Sequence, residues 1–586
     1  MSVHLSTRES ELSESSTCSE QQRQLTDSVD SLLLQNSFRA AVRRTCYRCR
    51  CSTYRLRRVK SKGAILVLAI SFLIFTTFNS VDTLLFSKLQ FNVHFFPSLA
   101  HMIEHAIFIF FCPLFGWLAD VYFGRYKVMC AGLWMAWCGS CGAVLTLVFQ
   151  NAFPEAESIL NYTALLPFSV ISIIGYSGFI VNAVPFGTDQ MLDAPSEEVS
   201  AFIYWFIWVW YTGSFVALLG SIPTCLGLSV PTVDVVHALL AAVASSLALC
   251  FDFFFQNMLE TRLRMKNPMR LIVNVLKYAA THKHPVRRSA LTYWEEGIPS
   301  RIDLGKSKYG GPFTTEQVED VKTFFRIILV SGALVAFTFP TQMCVASTST
   351  GVLEQHFRGF LVSECSHSLV DTYTSFPVFI VLFIPLHELL IYPLARNWIP
   401  TMLKRVGIGA VTTILFAVTA FSVDTAGHIY TNATVPCMFT ADTTSPVIDI
   451  NFLWVGVPLS LLLGFQLMTY NIAVFEFIYA QTPYNAKGLL FGVSLATLNL
   501  FLALGSIPLI VWGYGWTHPV TFPSCGFYYF LLAALVALLG LVLLCVVSRW
   551  YRTRERDEPQ NEQRFVEDYF NRYTQQSPNS YFAHII

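Results

Sequence analysis

The chain has 586 residues, of which 54% are hydrophobic and only 13% charged, with mean hydropathy +0.50 and net charge +1. A soluble chain carries about 25% charged residues, so this composition excludes a soluble enzyme or carrier. With no isolated basic module in the chain, it also gives no sign of a nucleic-acid binder.

Residues 1–62 are Ser-rich and then strongly basic. They read as a disordered cytoplasmic tail, and the first apolar run begins too late to be a secretion signal. Within the tail, "RRTCYRCRCSTYRLRRVKSK" (43–62) mixes Cys46, Cys49 and Cys51 with nine basic residues. It reads as lipid attachment beside anionic headgroups, as a zinc site short of a fourth ligand, or as the positive flank of the first span.

Twelve apolar runs of spanning length follow, at 64–86, 97–118, 128–149, 164–184, 202–222, 235–255, 324–345, 373–394, 406–423, 452–475, 488–512 and 526–548. The second opens with "HMIEH", which sets His101, Glu104 and His105 on one helix face. An inverted zinc-protease motif has the same form, but no further ligands or aqueous site accompany it. An alternative is a titrating His–Glu cluster facing a cavity. The bland reading is a polar helix end at headgroup level.

Between the second and third runs lies "GWLADVYFGRYKVM", with Asp120, Arg125 and Lys127 in a short gap and Gly116 and Gly124 on either side. The sixth and seventh runs are separated by a polar, basic stretch, 256–322. "NPMRLIVNVLKYAA" (267–280) in it reads as an amphipathic helix lying on the inner leaflet. The organisation expected is a six-helix bundle over 63–255, this linker, a second bundle over 323–548, and a polar, disordered cytoplasmic tail over 549–586.

With both termini cytoplasmic, only Lys88 and Arg358 of the 39 Lys and Arg fall in external loops, as positive-inside placement requires. The sequons at Asn161 and Asn432 then lie outside, where glycosylation occurs. Cys225, Cys365, Cys437 and Cys525 lie in or beside external segments; one disulfide among them is open, with no pairing readable. Six plus six spans around a cytoplasmic linker is the plan of a secondary transporter with two pseudo-symmetric halves. Composition by itself also allows a channel, a receptor or a membrane enzyme.

The Gly-x-Leu-Ala-Asp…Gly-Arg stretch resembles the loop of major facilitator transporters, in the form found in the proton-dependent oligopeptide transporter family. "SGFIVNAVPFGTDQ" (177–190), "YWFIWVWYTGS" (204–214), "IPLHELLIYPLARNW" with "LKRVGIG" (384–409) and "EFIYAQTPYNAKG" (476–488) resemble further segments of that family, in order. The resemblance implies an all-α membrane fold of twelve helices in two bundles. It also implies alternating access, a di- or tripeptide or another small nitrogenous solute as substrate, and the proton as coupling ion with no other cofactor or metal. It implies gating by Asp120, Arg125, Lys127, Asp189 and Glu388. Contact between Glu476 and a substrate amino group follows from it too, as does a cavity lined by the aromatic fifth span (Tyr204, Trp208, Tyr211) and by Gln342 of the seventh.

The departures are specific. The first span, "AILVLAISFLIFTTFNSVDTLL", lacks the family's Glu-x-x-Glu-Arg, and its only acid is Asp82. Ile180 stands where many members carry a Lys, and Tyr211 where an Asn is usual. Intramembrane charges are costly and functional, so losing several together points to altered proton or substrate handling. His101, Glu104 and His105 are then the candidate proton-coupling group. Expected partners are a small-molecule substrate and membrane lipid, with no nucleic acid and the oligomeric state unread. The membrane is the plasma or an endolysosomal one. The alternative is a non-transporting sensor or scaffold on the same fold; no catalytic constellation supports an enzyme.

Overall fold

A computed structural model describes residues 59–88, 99–191, 194–220, 230–259, 267–282, 300–349, 372–395, 399–430, 453–483, 486–517 and 526–551. Among the described residues, twelve helices are long and apolar enough to cross a membrane, one for each apolar run. In chain order they are α1 (Lys62–Lys88), α2 (Leu99–Leu118), α3 (Arg125–Ala152), α4 (Leu166–Asp189), α5 (Ser196–Leu219), α6 (Val230–Phe255), α7 (Thr315–Val335, resuming at Thr338–Ser349), α8 (Thr372–Leu386), α9 (Met402–Tyr430), α10 (Leu453–Gln481), α11 (Lys487–Thr517) and α12 (Gly526–Trp550).

Local chemistry sets the ends. Ser61 opens α1, its hydroxyl accepting from the Ala64 amide at 3.3 Å. Thr314 and Gln317 form a reciprocal capping box at the start of α7, which satisfies two otherwise orphaned amides. The break in α7 at 336–337 sits four residues before Pro340, whose ring and missing N–H exclude a bond to the carbonyl of Ala336. Among the described residues, three helices carry a wide π turn: Ala119–Phe123 after α2, Asn161–Leu165 before α4 and His387–Ile391 after α8. Such turns recur at functional sites, and two of these three hold an acid, Asp120 and Glu388. Gly124, with φ +85°, ends the first, a left-handed conformation that favours glycine.

Residues Arg57–Glu388 and Trp398–Ile586 make one compact unit. Leu389–Asn397 groups apart from it; its described part is helical, with Leu389, Leu390, Ile391 and Leu394 exposed. In the compact unit, α1 packs on α5 and α6, α3 on α4, α9 on α10 and α12, and α2 along α11. This last pairing joins the first six helices to the last six. The end of the bundle where α2 and α4 end, α3, α7 and α11 begin and the linker helix packs is called here the linker end.

The linker helix runs Pro268–Thr281 and is capped by the Asn267 side chain, close to the amphipathic stretch read from sequence. Ile272, Val275 and Ala279 are buried, while Arg270, Val273 and Lys277 are exposed. Ile272 and Val275 share a cluster with Val321 and Phe324 of α7 and Leu489 and Leu490 of α11. Beside it Asp303 bonds Lys306 at 2.7 Å and Lys322 at 2.5 Å. Burial raises the Asp303 carboxyl, but hydrogen bonds from Lys306, Lys322 and Ser300 outweigh it and hold the group well below the carboxylate range. At the opposite end, Lys88 pairs with Glu157 at 2.9 Å and Asp234 at 3.2 Å. Burial there disfavours its charge, yet these partners raise its pKa overall.

Candidate functional site

Two clusters of charge occupy the linker end. The first forms where α2, α3 and α4 meet. Asp120 sits in the π turn after α2, Arg125 begins α3 and Asp189 ends α4. Arg125 donates from Nη1 to Asp189 Oδ2 at 2.5 Å and from Nη2 to Asp120 Oδ1 at 3.0 Å, with Nε adding a bond at 3.2 Å. Both carboxylates are buried, so the guanidinium compensates charges that would otherwise be costly to desolvate. The second Asp120 oxygen leaves the N-terminal half: Oδ2 accepts from the Leu489 amide, in the first turn of α11, at 2.9 Å. A carboxylate suits the partly positive N-terminal end of a helix. The approach depends on bare backbone, because a Cβ on Gly116 would lie 2.2 Å from the Gly488 carbonyl oxygen.

The second cluster forms between α5 and the C-terminal half. Glu476 of α10 accepts from Arg405 of α9 and from the Ser200 hydroxyl of α5. Arg405 Nη1 donates to the Tyr204 hydroxyl at 2.8 Å. Two more bonds extend the seam: Trp208 Nε1 donates to the Val381 carbonyl at 3.0 Å, and Asn471 Nδ2 donates to Tyr211 Oη at 2.7 Å. Residues 200, 204, 208 and 211 share one face of α5, so four cross-half bonds run along about 16 Å of a single helix. Tyr204 also stacks on His387, with centroids 4.8 Å apart, and His387 Nδ1 lies 3.0 Å from Glu388 Oε1.

Of the predicted gating residues, Asp120, Arg125 and Asp189 thus come together, and Glu388 meets the second cluster through His387, which stacks on Tyr204. Lys127 is exposed and makes no ion pair with a described residue. Two positions beyond Arg125, it is rotated about 200° around α3. Of the predicted substrate contacts, Glu476, Tyr204, Trp208 and Tyr211 are all on the seam. Gln342 lies apart in the second segment of α7, against Gly505 of α11.

In the candidate proton group, His105 Nδ1 lies 2.9 Å from Asn499 Oδ1 of α11, a third contact between the halves. Glu104 is half-buried, and the His101 side chain lies outside the described residues. So do Asn432, Cys46, Cys49, Cys51, Cys225, Cys365, Cys437, Cys525 and most of both tails. Asn161 is buried, its Oδ1 accepting from Gln150 Nε2 at 2.7 Å, so this packing does not present its side chain to solvent. Among the described residues no group of three His, Cys, Asp or Glu is placed to hold a metal ion.

Arg405, inside "LKRVGIG", has no role in the sequence pattern alone, and neither have Ser200, Asn471 and Asn499. A signal for Arg405 was available. It begins the ninth span much as Arg125 begins the third, which is the equivalent place in a six-plus-six repeat.

A family profile described as POT family matches residues 126–514. The chain is 23% identical to mouse solute carrier family 15 member 3, over 76% of this chain and 83% of that protein. It is likewise 23% identical to the Arabidopsis protein NRT1/PTR family 2.9, over 75% and 83%. Among solved structures, an auto-inhibited POT family peptide transporter superposes with TM-score 0.60 at 17% identity, over 85% of this chain and 99% of that one. A POT family transporter in complex with 5-aminolevulinic acid superposes with TM-score 0.52 at 14% identity, over 85% and 99%. These superpositions establish the shared fold.

Proposed function

The chain belongs to the POT family, and from that premise we propose that it carries di- or tripeptides, or another small nitrogenous solute, by alternating access of two six-helix halves. It is a multi-pass membrane transporter. In this reading 63–255 and 323–548 are the moving halves and 256–322 ties them. Lys and Arg placement supports cytoplasmic termini, which makes the linker end cytoplasmic, in a plasma or endolysosomal membrane.

One observation carries the mechanism: among the described residues, the ion pairs that hold Arg125 and Arg405 each lie within a half, while the bonds from these two clusters that cross between halves have a neutral donor or acceptor. Asp120–Arg125–Asp189 belongs wholly to the N-terminal half and Arg405–Glu476 wholly to the C-terminal half. The crossings that touch these pairs are the Leu489 amide to Asp120, the Ser200 hydroxyl to Glu476, and Arg405 to the Tyr204 hydroxyl. A hydrogen bond to a charged group contributes about 1.5–3 kcal/mol, against about 3–5 kcal/mol lost when a buried pair loses one partner. Opening this end therefore breaks the reversible contacts and leaves each half internally paired. Glu476, released from Ser200, then offers an oxygen to a substrate amino group, with Tyr204, Trp208 and Tyr211 freed along the same face and Gln342 on the α7 side. His105, with Glu104 and His101, is the proposed proton carrier, and its contact with Asn499 lies between the halves.

The test is uptake of labelled dipeptide and of histidine into vesicles, with and without an inward proton gradient. Saturable, gradient-driven uptake that Glu476→Gln abolishes supports the reading. Uptake indifferent to pH in His101→Ala and Glu104→Gln as in the wild type removes the proton assignment. No flux of a broad substrate panel by correctly folded protein overturns transport in favour of a sensor or scaffold.

A further inference from the structure

A separate charged site lies on the flank of the N-terminal half, at the linker end of α3 and α6. A groove of about 330 Å³ opens there, lined by Tyr126, Lys127, Cys130, Trp134, Asp252 and Phe253 among others. Asp252 is half-buried, and its carboxylate accepts only neutral donors: the Tyr126 hydroxyl at 3.2 Å and the Cys130 thiol at 3.3 Å. No described Lys or Arg pairs with it. Lys127, on the same groove, is exposed and forms no ion pair or hydrogen bond with a described residue. Among the described residues, then, one anion and one cation line the same opening without an ion partner and without reaching each other. A desolvated carboxylate without a cation is unfavourable in a membrane protein and marks a binding function by default.

The flanking surface says which kind of molecule fits. Trp134 is 56% exposed and Phe253 69% exposed, and both lie on spanning helices, so in a bilayer they meet acyl chains. An occupant must therefore be an amphiphile whose headgroup carries a cation and an anion one short linker apart. A primary ammonium donates up to three hydrogen bonds and can satisfy Asp252, whereas a quaternary ammonium donates none. We propose that the α3–α6 groove is a binding site for a zwitterionic phospholipid with a primary amine, phosphatidylethanolamine. Its ammonium sits on Asp252, its phosphate on Lys127 and its chains over Trp134 and Phe253. The site lies apart from the seam between the halves and does not depend on the identity of the transported solute.

The full-length protein, exchanged into micelles holding equal amounts of phosphatidylethanolamine, phosphatidylcholine and phosphatidylglycerol with matched chains, is read by native mass spectrometry. Retention of phosphatidylethanolamine about ten-fold over phosphatidylcholine is expected, the worth of one charge-assisted hydrogen bond. With the wild-type protein, retention should fall with each N-methyl group that replaces a donor, an outcome that needs no variant to fold. Asp252→Asn should bring the two lipids near parity. Lys127→Gln should lower both together and leave their ratio standing. Parity in the wild type, a flat response to N-methylation, a ratio unchanged in Asp252→Asn, or phosphatidylglycerol retained most would each overturn the assignment.

Discussion

In the N-terminal half, Arg125 stands between two carboxylates, Asp120 and Asp189, and it is an Asp120 oxygen that reaches across to α11. At the equivalent place in the C-terminal half, Arg405 stands between one carboxylate, Glu476, and a hydroxyl supplied by the other half. The acid in the corresponding π turn, Glu388, is taken by His387 instead. One repeat thus closes on itself and extends a carboxylate oxygen; the other leaves its cation short of a second anion and completes it with Tyr204. The same scaffold position gives an internally paired clamp in one half and, in the proposed cycle, a contact that depends on closure in the other.

Replacing the two arginines is the strongest way to break this comparison. Arg125→Leu leaves two buried carboxylates facing each other and should cost about 3–5 kcal/mol, read as a large fall in melting temperature in detergent. Arg405→Leu strands one carboxylate that keeps Ser200, so its cost should be at the lower end, about 3 kcal/mol, and Glu476→Gln in the same chain should restore much of it. Equal costs, or no rescue, would mean the two clusters are not chemically distinct.

The next effect is steric. Gly116→Ala places a methyl against the Gly488 carbonyl and should disfavour the closed linker end by about 1–3 kcal/mol. Spin-label distances between α2 and α11 should lengthen while the fold melts normally. Tyr204→Phe removes one crossing hydrogen bond to a charged group, about 1.5 kcal/mol, and should shift the same distance distribution about ten-fold toward the open form without loss of the Arg405–Glu476 pair. If Tyr204→Phe is silent, the Arg405–Tyr204 bond has no part in closure.

The smallest change lies outside both clusters and sets the baseline. Asp303→Asn should lower stability by less than about 1 kcal/mol at neutral pH. Because the Asp303 carboxyl is depressed, its contribution is complete above the unfolded value near 4 and lost as pH falls through the folded one. The gap between variant and wild type should therefore shrink below about pH 4, with the spin-label distances unmoved.

The placement of the twelve helices was legible because crossing a bilayer demands about twenty apolar residues in succession, a property of local sequence. The linker helix was legible for the same kind of reason, from periodicity. Asp120 and Arg125 were legible because a five-residue separation across a glycine turn keeps them together in any packing. Lys127 looked like a third member in the linear string, but helical rotation carried it to the flank. Glu476 was recognisable as an intramembrane acid, yet its partners were not, since Arg405 is 71 and Ser200 is 276 positions away. Sequence by itself determined which charges the membrane must tolerate. Which charges meet was decided only by how the helices pack, because a buried carboxylate takes whichever donors the neighbouring helices bring within hydrogen-bond reach.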